Sequence, residues 1–170
     1  MSEKLKSSFF ETKGAHPEQI VYDRMLQQNG INIIHACVGQ NLFRESKNPL
    51  LKVAIPFGQA SIQASWQTAT GYQKRQHVKT GHISIMPAEM PYETNWQCSA
   101  EILILCLQPQ LMTTIAEEVV VGDRLEIIEH WTANDLFIQQ LGLQLRAELQ
   151  AGSPSLLYVD AFATVLGMKI

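Results

Sequence analysis

GHISIMPAEMPYETNW, Gly81 to Trp96, is the stretch on which the fold turns. HISIMP follows Thr80-Gly81, a turn pair, and reads as a short strand. Pro87 ends it, because proline has no N–H to give to a ladder. PYETNW then begins a second strand and carries two aromatic side chains, Tyr92 and Trp96. The expectation is a strand, a proline corner and a returning strand.

The same texture runs upstream. INIIHACV (Ile31–Val38) follows the turn pair Asn29-Gly30. LLKVAIPF (Leu50–Phe57) places Val53, Ile55 and Phe57 on one face and ends at Gly58. ASIQASWQT alternates more cleanly, with Ile62, Ala64 and Trp66 on one face and Gln63, Ser65 and Gln67 on the other. Gly71 marks a turn, and YQKRQHV (Tyr72–Val78) reads as a polar, half-exposed strand. ILILCL (Ile102–Leu107) has the length of a strand buried on both faces and is far too short to span a bilayer. Turn residues at intervals of roughly eight to twelve positions mark an all-β sandwich or barrel.

Beyond Leu107 the pattern changes. Pro109 opens PQLMTTIAEEV as a short helix, and RLEIIEH (Arg124–His130) reads as a last strand. A longer helix is entered through TAND, with Thr132 or Asn134 as its cap. Ile138, Leu141, Leu145 and Leu149 recur at helical spacing, and Gly152 stops the helix. Ser153-Pro154 starts another, in which Leu156, Val159, Ala163, Leu166 and Ile170 form a heptad-like stripe. The expected division is a β-barrel over residues 1–130 and a helical segment over 131–170. A stripe that runs to the last residue points to a piece of something longer.

Composition narrows the function. The chain has 170 residues, 46% hydrophobic and 17% charged, which fits one globular domain with a real core. Its net charge of −3 gives no basic footprint for nucleic acid. Cys37, Cys98 and Cys106 have no CxxC spacing, so reduced thiols in a cytoplasm are expected. The polar start lacks the apolar core of a secretory signal.

The enzyme signatures are missing. No P-loop, GxGxxG, GxSxG or HExxH occurs, and no Asp or Glu lies between Ser46 and Ala88. A glycosidase-like carboxylate pair in the middle of the barrel is therefore not expected. His16, His35, His77, His82 and His130 show no ligand spacing, and the expectation is hydrogen-bonded or exposed histidines without a metal or cofactor. Cys37 and Cys106 read as small buried hydrophobes. Lys47, Lys52, Lys74, Arg75 and Lys79 read as solvated strand edges in preference to a basic lip. Trp66, Tyr72, Met86, Tyr92 and Trp96 are the candidate ligand-binding set, since small-molecule pockets are lined mainly by apolar and aromatic side chains.

Two segments carry a family resemblance: HWTANDLFIQQLGLQLRAEL, and LYVDAFATVL with Leu157, Tyr158, Asp160, Ala161, Phe162, Ala163 and Leu166. With the β-rich segment before them they resemble the N-terminal part of an AraC-type transcriptional regulator, from about Ile31 onward. The resemblance implies a cupin-like (double-stranded β-helix) barrel followed by two or three α-helices. It also implies a small-molecule effector, a homodimer, and DNA contact only through a helix-turn-helix domain absent from these residues. Leu141, Leu145, Leu156, Val159 and Leu166 are the expected dimer seam. The second cupin signature, G-x5-7-P-x-G-x2-H-x3-N, keeps Gly81 and Pro87. Glu89 replaces its second glycine, Tyr92 its histidine ligand and Trp96 its asparagine. The expected function is a non-catalytic sensor and dimerisation domain. The alternative is a stand-alone small cupin enzyme, a metal-dependent isomerase or dioxygenase.

Overall fold

The computed structural model describes residues 13–16, 20–28, 30–111, 113–114, 129–152, 159–162 and 164–165. Ten strands are defined among them: β1 (Ile20–Gln28), β2 (Ile31–Val38), β3 (Asn41–Glu45), β4 (Leu51–Phe57) and β5 (Ser61–Gln67), then β6 (Gln73–Lys79), β7 (Ile83–Met86), β8 (Tyr92–Trp96), β9 (Ala100–Leu107) and β10 (His130–Ala133). One helix, α1 (Leu136–Ala151), follows.

The strands make two antiparallel sheets. The larger has the order β1-β2-β9-β4-β7-β10, the smaller β3-β8-β5-β6. Consecutive strands cross between sheets: β9 lies between β2 and β4, and β8 between β3 and β5. This is the double-sheet roll, in which two sheets close over a shared interior.

Side-chain alternation sorts the core into two clusters. Ile34, Ala36, Ala54, Ile62, Ala64, Trp66, Ile102 and Ile104 point between the sheets. Ile33, Val53, Ile55, Leu103 and Leu105 point to the opposite face of the larger sheet, where Ile138, Leu145 and Leu149 of α1 cover them. A strand covered on both faces has no polar side, which is why β4 and ILILCL read as nearly continuous apolar runs. All seven residues of β4 are buried.

Helix α1 keeps the predicted stripe and its Gly152 stop, a left-handed residue at φ 82°. Its cap is neither Thr132 nor Asn134. Asp135 accepts from the backbone N–H groups of Phe137 and Ile138, both at 3.0 Å. Thr132 belongs to β10, which runs through the TAND entry and past the expected barrel boundary at residue 130. The sequence reading also passed over β1 and β3. Gly142 marks the closest approach of helix and sheet: a Cβ there would lie 2.7 Å from Ile55 Cδ1.

The corner inside the opening stretch is well defined. Gly81 sits at φ 92° and Glu89 at φ 63°, the one non-glycine in the left-handed region among the described residues. The Glu89 N–H donates to the Asn48 carbonyl at 2.7 Å, tying the corner to the β3–β4 connection. Most of RLEIIEH lies outside the described residues, as do Ser153-Pro154, Leu156, Leu166 and Ile170 of the last stripe.

Candidate functional site

The interior between the sheets holds a cavity of about 70 Å³. Its wall is mostly apolar and includes Phe43, Ile62, Met86, Trp96, Ile104 and Trp131. Room on this scale takes several water-sized groups or a small organic molecule.

One end of the cavity is polar, and the strand registers explain why. Glu45 of β3 lies opposite Tyr92 of β8, and Tyr92 opposite Trp66 of β5. Across the interior, Lys52 of β4 lies opposite Met86 and Cys106. Three strands, β3, β4 and β8, thus bring Glu45, Lys52 and Tyr92 to one level. The Lys52 ammonium donates to Glu45 Oε2 and, at 3.1 Å, to the Tyr92 hydroxyl. Lys13 donates to the same Glu45 oxygen at 2.5 Å from a more open position. Lys52 has only 3% of its side chain exposed and Glu45 8%.

The electrostatics follow from this packing. Burial pushes the Glu45 carboxyl up, but hydrogen bonds from Lys13 and Lys52 outweigh it and hold the group below its usual range. Burial, with the nearby Glu45 charge, pushes the Tyr92 hydroxyl well above the usual phenol range, so it stays protonated and can donate. Burial raises the Cys106 thiol to about 11, so it stays a neutral thiol near pH 7.

An aromatic floor completes the site. The Trp131 ring lies 5.3 Å from Trp66 and 5.2 Å from Tyr92, and the Phe43 and Trp96 rings meet edge to face at 5.4 Å. Trp66, Trp96 and Trp131 are all three tryptophans of the chain. Each is less than 5% exposed.

Of the candidate ligand-binding residues, Met86, Tyr92 and Trp96 line the cavity, and Trp66 stands behind Trp131. Tyr72 does not belong: it is 73% exposed, because it lies at the turn just before β6. Lys52 also departs from expectation, being an inward side chain and not a solvated strand edge. The signal for it was present, since a face of Val53, Ile55 and Phe57 sends Lys52 and Ala54 the other way. The interior carboxylate comes from Glu45, one residue before the acid-free interval. Trp131, on the helical side of the expected division, is a β10 residue.

The described members of the expected dimer seam face inward too. Leu145 and Val159 are fully buried in the cluster on the outer face of the larger sheet, and Leu141 packs partly against it. A second polar network lies on that face. Arg146 of α1 makes a forked pair with Glu101, and His35 Nε2 lies 2.8 Å from the same carboxylate. Arg146 is the largest influence holding the Glu101 carboxyl low, with His35 adding to it.

The donor set does not fit a metal among the described residues. No three His, Cys, Asp or Glu side chains converge there. The cavity wall offers one carboxylate, already engaged by two lysines, and no histidine. No helix of the described residues is long and apolar enough to cross a membrane.

No protein-family model matches the sequence, and no curated protein matches it. Solved structures do resemble it. A conserved Streptococcus pyogenes protein of unknown function aligns with a TM-score of 0.45 and 15% identity, over 55% of this chain and 78% of that one. Hydroxypropylphosphonic acid epoxidase from S. wedmorenis aligns at 0.42 and 12%, over 50% and 49%. HEPD of Streptomyces albus, with 2-hydroxyethylphosphonate and Fe(II) bound, aligns at 0.42 and 11%, over 55% and 22%. The fold is cupin-like, a two-sheet roll with helical residues after it. The expectation of a chain without catalysis is corrected here, because an epoxidase stands among the structures that resemble it.

Proposed function

We propose that this chain is a small cupin-type protein that takes a small organic molecule, as its substrate, into the interior of its barrel. The observation that carries the reading is the aromatic cavity with Lys52, Glu45 and Tyr92 buried at one end. Burying an ion pair costs several kcal/mol per ion in desolvation, and its Coulomb energy often does no more than repay that. An apolar pocket with a few convergent polar groups is the usual form of a small-molecule site. The three groups also have a chemistry. A fixed ammonium beside a protonated phenol stabilises negative charge developing on a substrate oxygen when a proton leaves the carbon next to a carbonyl. Glu45 Oε1, on the one carboxylate of the wall, is the base that would take that proton. That route draws on side chains of the barrel alone, in keeping with the donor set.

A second reading is the effector site of an AraC-type regulator. Two observations support it. Strand β4 turns Lys52 and Ala54 to the cavity and Val53 and Ile55 to α1, so one strand touches both ligand and helix. Leu136, Phe137 and Leu143 of α1 are exposed apolar side chains that a second copy could cover.

The readings separate in one experiment. A library of small carbonyl compounds and acids is screened by thermal shift, since a ligand bound only by the native state raises Tm. Each hit is then incubated with the protein and followed by mass spectrometry. Conversion of the hit supports the enzyme. A hit recovered unchanged, with a mass in solution that shifts towards a dimer, supports the regulator. A screen without hits contradicts both.

A further inference from the structure

We infer that the molecule bound in this cavity is an organic carboxylate with a compact apolar, preferably aromatic, body. The inference rests on the small-molecule reading above and assigns its ligand class.

It comes from an account of donors and acceptors at the polar end. An ammonium group has three protons. Lys52 directs one to Glu45 and one to the Tyr92 hydroxyl, which leaves one N–H. The Tyr92 oxygen accepts from Lys52, so its own proton is still to be donated, and its burial keeps that proton in place. Thr94, on the same inward face of β8, accepts from Trp96 Nε1 at 3.2 Å and also retains its hydroxyl proton. Acceptors are the scarcer kind. Glu45 Oε2 already takes both lysines and, at 3.5 Å, the Asn48 side-chain amide, which leaves Oε1 against the three hydrogens of Lys52, Tyr92 and Thr94. The Ser84 hydroxyl is turned to the Trp131 carbonyl at 2.8 Å. The wall therefore offers hydrogens and asks the ligand for oxygens. A carboxylate brings two oxygens and a charge opposite to that of Lys52, and charge-assisted hydrogen bonds are the stronger kind. A ligand ammonium would meet Lys52 as a like charge. The remainder of the wall is Phe43, Ile62, Met86, Ile104, Trp96 and Trp131, which favours a flat apolar body over a polyol.

The protein carries its own reporters, since Trp96 and Trp131 line this space and Trp66 packs on Trp131. The experiment titrates the purified chain with benzoate, benzamide, benzyl alcohol and toluene while following tryptophan fluorescence. The expected result is that benzoate binds roughly tenfold or more tightly than the three neutral rings, the worth of one hydrogen bond to a charged group. Tyr92→Phe, which keeps the ring, is expected to narrow that preference severalfold. Lys52→Met with Glu45→Gln is expected to abolish it while toluene still binds. Toluene binding wild type as tightly as benzoate would overturn the carboxylate assignment and leave the small-molecule reading standing. A benzoate preference that survives the paired substitution would overturn it as well. If no ring changes the fluorescence, the small-molecule reading itself falls and takes this inference with it.

Discussion

Glu89 shows what a tight corner asks of a single residue. It occupies the place of the second glycine in the cupin signature, and its φ of 63° is the conformation a glycine would adopt without cost. A side chain in that region costs about 1–2 kcal/mol. Glu89→Gly is therefore expected to stabilise the fold by up to about 1 kcal/mol after the added entropy of the unfolded chain. Chemical denaturation checks it, and a loss of stability would show that the glutamate side chain has a role the corner needs. The buried pair gives a second residue-scale expectation. Lys52→Met alone leaves Glu45 with Lys13 and the Asn48 amide and is expected to cost about 1–3 kcal/mol. Lys52→Met with Glu45→Gln is expected to cost less than the single change, because it removes the charges together. A double variant less stable than the single would show that the pair holds the barrel together, which would weaken the case for a ligand.

Elements differ in how plainly the sequence announces them. β5 was legible to the residue, because its apolar face meets the interior and its Gln/Ser face meets water. The stripe and glycine stop of α1 were legible for the same reason. β3 and β10 were not. Each is short, five and four residues, and is held by pairing to a strand far away in sequence, β8 and β7. That pairing is a tertiary fact, and with β3 and β10 went Glu45 and Trp131, half of the polar end and its floor. For Leu141 and Leu145 a related ambiguity applied. A helical apolar stripe looks the same whether it meets a second copy or its own sheet, and Leu145 meets its own sheet. Arg146 is the polar clamp on that interface, forked onto Glu101 and lying over the Phe57 ring at 5.2 Å. Arg146→Ala is expected to cost about 1–3 kcal/mol and to raise amide exchange in α1 more than in β5. Equal exchange in both would mean that helix and barrel unfold only together.

At the scale of the molecule, the same carboxylates set the response to acid. Glu45 and Glu101 both have folded-state values below the ordinary 4.5. Each therefore contributes stability that is present above the unfolded value and is lost as pH falls through the folded one. Stability is expected to be flat above about pH 5.5 and to decline as pH drops below about 4.5. Glu45→Gln is expected to shallow that decline, and an unchanged slope in equilibrium unfolding across this range would contradict the pairing. The stretch from Gly81 to Trp96 gains its meaning only at this scale. Its glycine and proline shape a corner, and its Tyr92 and Trp96 become wall once the strands close around Lys52.

The most direct test of that ligand-ready interior is the indole N–H region of a ¹⁵N spectrum. The chain has three tryptophans, of which Trp96 and Trp131 line the cavity and Trp66 packs on Trp131. On titration with benzoate, the account predicts that the indole signals of Trp66, Trp96 and Trp131 shift in a saturable way, while the backbone amide of exposed Tyr72 stays still. Saturable shifts confined to surface amides, with all three indoles unmoved, would contradict it.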